Sequence, residues 1–142
     1  MSLFLMVIMK KTKNAVRLSL LPMTITLLIL ILFRFVFLLG YVPTASMEPA
    51  LKTGSLLLGV RVWGDIQKGD IIVFQHNKEY LVKRVEAVEG DLIESNGENL
   101  VVPEGGFYVL GDNGQCSYDS RYWEYPFVMN DDIVAKVILP TR

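Results

Sequence analysis

The chain has 142 residues, enough for one domain and little more. Its apolar content is 51%, and its net charge of −1 hides an asymmetry: the first forty residues carry five basic side chains and no acid, whereas residues 41–142 carry nine basic and fifteen acidic ones, a net charge of −6. An acidic body disfavours a nucleic-acid partner, and a single cysteine, Cys116, excludes an internal disulfide and a cysteine-based structural metal cluster.

In chain order, residues 1–17 read as a basic cytoplasmic N-terminus. The apolar "MSLFLMVIM" that opens it is too short to span a bilayer, and Met9, followed by "KKTKNAVR", is an alternative start. Residues 18–40, "LSLLPMTITLLILILFRFVFLLG", contain one charge, Arg34, near enough to the end to snorkel toward headgroups. About 20 apolar residues cross a bilayer core, so this run predicts one transmembrane helix. It exceeds the apolar region of about 7–15 residues expected of a cleaved signal peptide, which favours a retained anchor. Lys10, Lys11, Lys13 and Arg17 before it keep the N-terminus cytoplasmic and place the acidic body outside.

Beyond residue 49 the apolar pattern has a period of two, broken by glycine, asparagine and aspartate. Strands are predicted over 55–62, 70–76, 79–88, 91–96, 99–103, 106–112 and 132–139. The predicted fold is mostly β: a small antiparallel β barrel or sandwich over residues 41–142, with one N-terminal transmembrane helix.

Three stretches offer chemistry. In "YVPTASMEP" (residues 41–49), Pro43 and Pro49 stiffen the backbone around Ser46, and Thr44 adds a second hydroxyl. Such a serine either caps a turn or is held for attack. In the strand over 79–88, alternation puts Leu81, Lys83 and Val85 on one face and Val82, Arg84 and Glu86 on the other, giving Arg84 a partner in Glu86. Lys83 either snorkels into water or loses hydration on an apolar face. Lost hydration lowers its pKa and lets a neutral amine take a proton from a serine hydroxyl, which a guanidinium cannot do. In "GDNGQCSYDSR", Gly111, Asp112 and Asn113 open a turn. Asp119 and Arg121 fit a fixed ion pair there, and the hydroxyls of Ser117 and Ser120 suit a nearby amine; a solvated loop is the alternative. His76 has no visible metal partner, and it and Cys116 read as structural or incidental.

Together these stretches say more. Ser46 in "PTASMEP", "GDIIVF" at residues 69–74, Lys83 in "YLVKRVEAVEGD" and the box at residues 111–121 stand in the order and wording of the type I signal peptidases. The chain resembles this Ser–Lys membrane peptidase family across the anchor and essentially the whole body. The resemblance implies Ser46 as nucleophile and Lys83 as general base, with the Thr44 hydroxyl and the Ser46 N–H forming the oxyanion hole. It further implies that Ser117 orients the Lys83 amine, and that Asp119 and Arg121 brace the site. Tyr41, Val42 and Pro43 on one side and Tyr80, Leu81 and Val82 on the other are the candidates to flank a substrate strand.

The implied activity is removal of N-terminal signal peptides from exported preproteins by a single-pass plasma-membrane enzyme, cytoplasmic at its N-terminus and extracytoplasmic in its catalytic domain. Its implied surroundings are membrane lipid and translocation machinery, with no nucleic acid and neither metal nor organic cofactor. Ala50, Gly114 and Cys116 depart from residues common in the family, and the short interval between Gly90 and Gly111 resembles the minimal, Gram-positive-like form. Two other classes share parts of this pattern: a Ser–Lys self-cleaving repressor relative, and a catalytically silent membrane-anchored β module that binds exported chains.

Overall fold

The computed structural model describes residues 20–95 and 97–139. They fall into two compact units divided between Phe35 and Val36. The first contains a helix, α1, over residues 20–35. Its threonines turn their hydroxyls back onto its own carbonyls, Thr24 to Leu21 at 2.8 Å and Thr26 to Pro22 at 2.9 Å, which satisfies the only hydroxyls on a surface that is apolar apart from Arg34.

The apolar run predicted as one helix over 18–40 is not helical to its end. Residues 37–41 form strand β1 (Phe37–Tyr41), paired antiparallel with β2 (Leu56–Val60), Leu39 opposite Leu58. Leu38 packs on the core beside Leu57, and a Cβ on Gly40 would come within 3.0 Å of the Leu57 side chain, so this glycine sets how closely β1 lies on β2. The start of the expected anchor and the basic N-terminus lie outside the described residues. The described part of α1, residues 20–35, is about 24 Å long at the α-helical rise, and among the described residues no helix is long and apolar enough to cross a membrane.

The second unit is built on antiparallel β structure, as predicted. After β2 come β3 (Ile71–His76), β4 (Glu79–Val88), β5 (Leu92–Ser95), β6 (Glu98–Val101), β7 (Gly106–Leu110), β8 (Phe127–Met129) and β9 (Ile133–Leu139). Seven of them form one sheet in the order β1-β2-β9-β3-β4-β7-β8, and β5 and β6 pair as a separate hairpin. The edges β1 and β8 do not pair with each other among the described residues.

Alternation on β3 distributes its side chains to two cores. Ile71 and Val73 join Val42, Met47, Leu51 and Leu57; Ile72 and Phe74 join Val85, Val109, Trp123 and Ile133. β3 is therefore covered on both faces, which explains its unbroken apolar run. Lys83 lies opposite Ile72 across the β3–β4 ladder, and its strand neighbours Leu81 and Val85 belong to the second cluster. Phe74 has no exposed surface, so Phe74→Ala is expected to destabilise the domain by about 3–5 kcal/mol, read by chemical denaturation followed by circular dichroism.

Candidate active site

Ser46 lies in a short 3-10 turn, Ala45–Met47, that follows directly on the extended Thr44. The turn is fixed from several sides. The Val42 N–H donates to the Ser55 carbonyl at 3.0 Å, the Gly54 N–H to the Val42 carbonyl at 2.8 Å, and the Leu51 N–H to the Met47 carbonyl at 2.8 Å. Glu48 accepts from the Thr53 N–H at 3.0 Å and the Thr53 hydroxyl at 2.8 Å. Met47 and Leu51 are fully enclosed, so the apolar core holds down the turn on which Ser46 stands. Ser46 itself is buried, and its Oγ is 3.3 Å from Thr44 Oγ1.

Lys83 projects from β4 with only 3% of its surface exposed. No hydrogen bond or ion pair engages its amine among the described residues. Burial pushes its pKa down, the negative charge of Asp119 opposes that, and the positive charge of Arg121 adds to it; the net direction is down from 10.5. The alternation that placed Lys83 on an apolar face therefore gives a desolvated lysine, not one that reaches into water.

The loop after β7 is organised by Asp119, which is wholly enclosed. Its Oδ1 accepts from Arg121 Nε at 2.8 Å; its Oδ2 accepts from Arg121 Nη2 at 2.8 Å, the Gly111 N–H at 2.9 Å and the Ser117 hydroxyl at 2.6 Å. Burial pushes the carboxyl up, but the Arg121, Gly111 and Ser117 donors outweigh it and hold the pKa down at about 2. Gly111 is required for this approach: a Cβ there would collide with the Ser117 side chain and fall 2.6 Å from the Ser46 carbonyl oxygen. That carbonyl accepts the Asn113 N–H at 3.0 Å, which ties the loop to the Ser46 turn. Ser120 locks the loop to β7, its hydroxyl accepting the Val109 N–H at 3.0 Å.

Arg84 is not paired with Glu86, as alternation along one strand predicts. It makes a two-pronged ion pair with Asp112, Nε to Oδ1 at 2.8 Å and Nη2 to Oδ2 at 2.7 Å, and donates through Nη1 to the Gly69 carbonyl at 2.7 Å. The β4–β7 register slips between Val85 and Ala87, which leaves Glu86 exposed and out of step. Arg84 thus joins the start of β3, β4 and the loop after β7.

Ser46, Lys83 and Thr44 all line one cleft of about 790 Å³. The six candidates for flanking a substrate line it as well: Tyr41, Val42 and Pro43, and Tyr80, Leu81 and Val82. Along residues 79–83, β4 pairs with β3 on one edge only, because β7 joins it from Arg84 onward. β1 pairs with β2 alone among the described residues. Ser117 is buried and bonded to Asp119, with no bond to Lys83. Gly114 lies against Arg121, where a Cβ would be 3.3 Å from Nη1, so its lack of a side chain leaves the guanidinium free to face Asp119. Sequence reasoning missed that His76, Cys116 and Tyr118 also line the cleft; the proximity of Cys116 to Ser117 in the chain was the one available signal. No cluster of three or more metal-ligating side chains occurs among the described residues.

Because the Asp119 carboxyl is depressed from 3.8 to about 2, its contribution to stability is fully present above the unfolded value and is lost as pH falls through the folded one. Asp119→Asn is expected to cost about 2 kcal/mol at neutral pH, and to flatten the dependence of stability on pH between about 4 and 2, measured by urea denaturation across that range.

Comparison with known proteins places the chain in a family. The model of the family described as "Signal peptidase, peptidase S26" matches residues 15–102 and 96–141. The chain is 29% identical over 135 residues to Signal peptidase I of Leptolyngbya laminosa, an alignment covering 70% of this chain and 66% of that protein. It is 29% identical over 138 residues to Signal peptidase IB of Staphylococcus aureus strain Mu50, covering 65% of this chain and 71% of that protein. The chain therefore belongs to the signal peptidase family, peptidase S26, a family of serine endopeptidases.

Proposed function

We propose that this chain is a membrane-anchored endopeptidase that removes N-terminal signal peptides from exported preproteins, with Ser46 as nucleophile and Lys83 as general base. The observation that carries this reading is that a buried, unpaired lysine and a buried serine on a braced turn line the same cleft. The names of the relatives point the same way: the chain spans 66% and 71% of two proteins called signal peptidase I and IB.

The chemistry follows from the state of the amine. Burial favours the neutral form of Lys83, which accepts the Ser46 hydroxyl proton as Oγ attacks the carbonyl carbon of the scissile peptide. The tetrahedral oxyanion is met by the Ser46 N–H and the Thr44 hydroxyl, already 3.3 Å from Ser46 Oγ. The protonated lysine returns the proton to the leaving amine, and the acyl-enzyme is hydrolysed by a water that Lys83 activates. The Ser117 hydroxyl donates its hydrogen bond to Asp119, so its oxygen keeps lone pairs with which to accept from the Lys83 amine and orient it. Asp119 also keeps a negative charge near Lys83, which tempers the drop in the lysine pKa.

The substrate enters as an extended strand between β1, at residues 38–41, and β4, at residues 79–83, along edges that no further strand pairs with among the described residues, with Tyr41, Val42 and Pro43 on one side and Tyr80, Leu81 and Val82 on the other. We place residues 1–17 in the cytoplasm and the helical part of residues 18–40 at the plasma membrane, with β1 and the rest of the β domain outside. In support, α1 bears exposed large apolar side chains along its length, from Leu20 to Phe35, a surface suited to lipid. The anchor would present the cleft to signal peptides leaving the translocation machinery.

Ser46→Ala and Lys83→Ala should each abolish cleavage of a signal-peptide substrate in detergent while leaving the circular dichroism spectrum unchanged. In the wild type, kcat/KM should rise with pH and level off below the ordinary lysine range, since the base acts in its deprotonated form. Activity surviving in purified Lys83→Ala, or a profile flat from acid to alkaline pH, would sink the assignment.

A further inference from the structure

The cleft has a third wall that neither flanking strand supplies. Trp123 is 5% exposed within the second core, and its ring stacks on His76 at 4.1 Å and 19°. Tyr118 meets the same indole edge-on at 6.5 Å. The indole N–H is buried without a hydrogen-bond partner among the described residues, so ring contacts with Phe74, His76 and Tyr118 hold Trp123 in place. Tyr118 is 63% exposed yet fixed: it stacks on Tyr122 at 6.0 Å and 14°, and its hydroxyl donates to the Tyr122 carbonyl at 3.4 Å. Both His76 and Tyr118 line the cleft.

We infer that His76 and Tyr118, mounted on Trp123, form a specificity wall that contacts the substrate side chains upstream of the cut and favours large apolar or aromatic ones there. The inference rests on the reading of the cleft as the peptide site. Ser46 and Lys83 lie toward the C-terminal ends of the two lining segments, and from there the lining runs back along β1 to Leu38 and along β4 to Glu79. The span from Lys83 to Glu79 is about 13 Å at the rise of a strand, room for about four substrate residues. In a signal peptide the apolar region precedes the cleavage site, so the apolar channel accepts the upstream side. His76 pairs with Glu79 in the β3–β4 ladder, which puts it at the end of that channel farthest from Ser46. The rings there are held before any peptide arrives, so covering them orders little that is mobile. Ring faces and edges suit an aromatic or bulky aliphatic partner.

The test uses the full chain in detergent with Ser46→Ala, titrated with uncleaved peptides that differ only in the fourth and fifth residues upstream of the cut, Ala-Ala against Phe-Leu. The readout is intrinsic fluorescence from Trp63 and Trp123, the only two tryptophans. The Phe-Leu peptide is expected to bind about threefold to tenfold more tightly than the Ala-Ala peptide. That ratio should fall to near one when Tyr118→Ala or His76→Ala is added, and persist with Tyr118→Phe. Equal affinity for the two peptides in the Ser46→Ala chain, or a ratio unchanged by Tyr118→Ala and His76→Ala, would overturn the inference. A wild-type chain that cleaves neither peptide while the Ser46→Ala preference holds would overturn the proposed activity and leave the wall supported.

Discussion

A buried carboxylate holds the site together. Asp119 has no exposed surface, yet it stays charged because five polar partners converge on it: the Arg121 side chain twice, the Arg121 N–H at 3.4 Å, the Gly111 N–H and the Ser117 hydroxyl. A buried charge without such partners would cost more than the loop could recover. With them, the carboxylate sets the position of everything nearby. Gly111 must lack a side chain to bring its N–H there, and the same close approach brings Asn113 under the Ser46 carbonyl. Asp112, next in the chain, pairs with Arg84 and so fixes the loop to the lysine-bearing strand. The position of Ser46 relative to β4 thus depends on a network anchored at a residue that does not line the cleft.

The same carboxylate works against the change that makes Lys83 useful in the proposed chemistry. Burying Lys83 on the strand face it shares with Leu81 and Val85 favours its neutral form, Asp119 pulls the other way, and Arg121 favours the neutral form further. Since Arg121 neutralises much of the Asp119 charge, burial prevails. The ion pair therefore has two consequences: it satisfies the buried carboxylate, and its arginine offsets the rise that the carboxylate causes in the Lys83 pKa. A domain that stabilised Lys83 as a cation would be better paired and, in the proposed chemistry, a poorer base.

Much of this was legible in the sequence. The strand over 79–88 has the predicted bounds, and the alternation that put Lys83 with Leu81 and Val85 holds in three dimensions. The Asp119–Arg121 pair, two residues apart, follows from local spacing. What escaped depends on long-range contacts. β1 was hidden in an apolar run whose continuity fits a helix or a buried strand equally well, and only its pairing with β2 decides between them. β8, three residues long, carries too short a pattern to be read. The partner of Arg84 is 28 residues away, and a slip in register, which strict alternation cannot anticipate, removes Glu86 from competition. The aromatic wall joins the end of β3 to a loop far along the chain, so His76 and Tyr118 offered no shared motif.

The central claim is that the fold keeps the Lys83 amine from holding its proton as an ordinary lysine does. Titrating the full chain in detergent with isotopically labelled lysine, and following the Lys83 side-chain resonance by NMR with Lys83→Met to assign it, tests this without reference to any substrate. The account predicts a midpoint below 10.5, the ordinary value for the side chain, and below those of exposed lysines such as Lys68 in the same spectrum. A midpoint at or above 10.5 would contradict it.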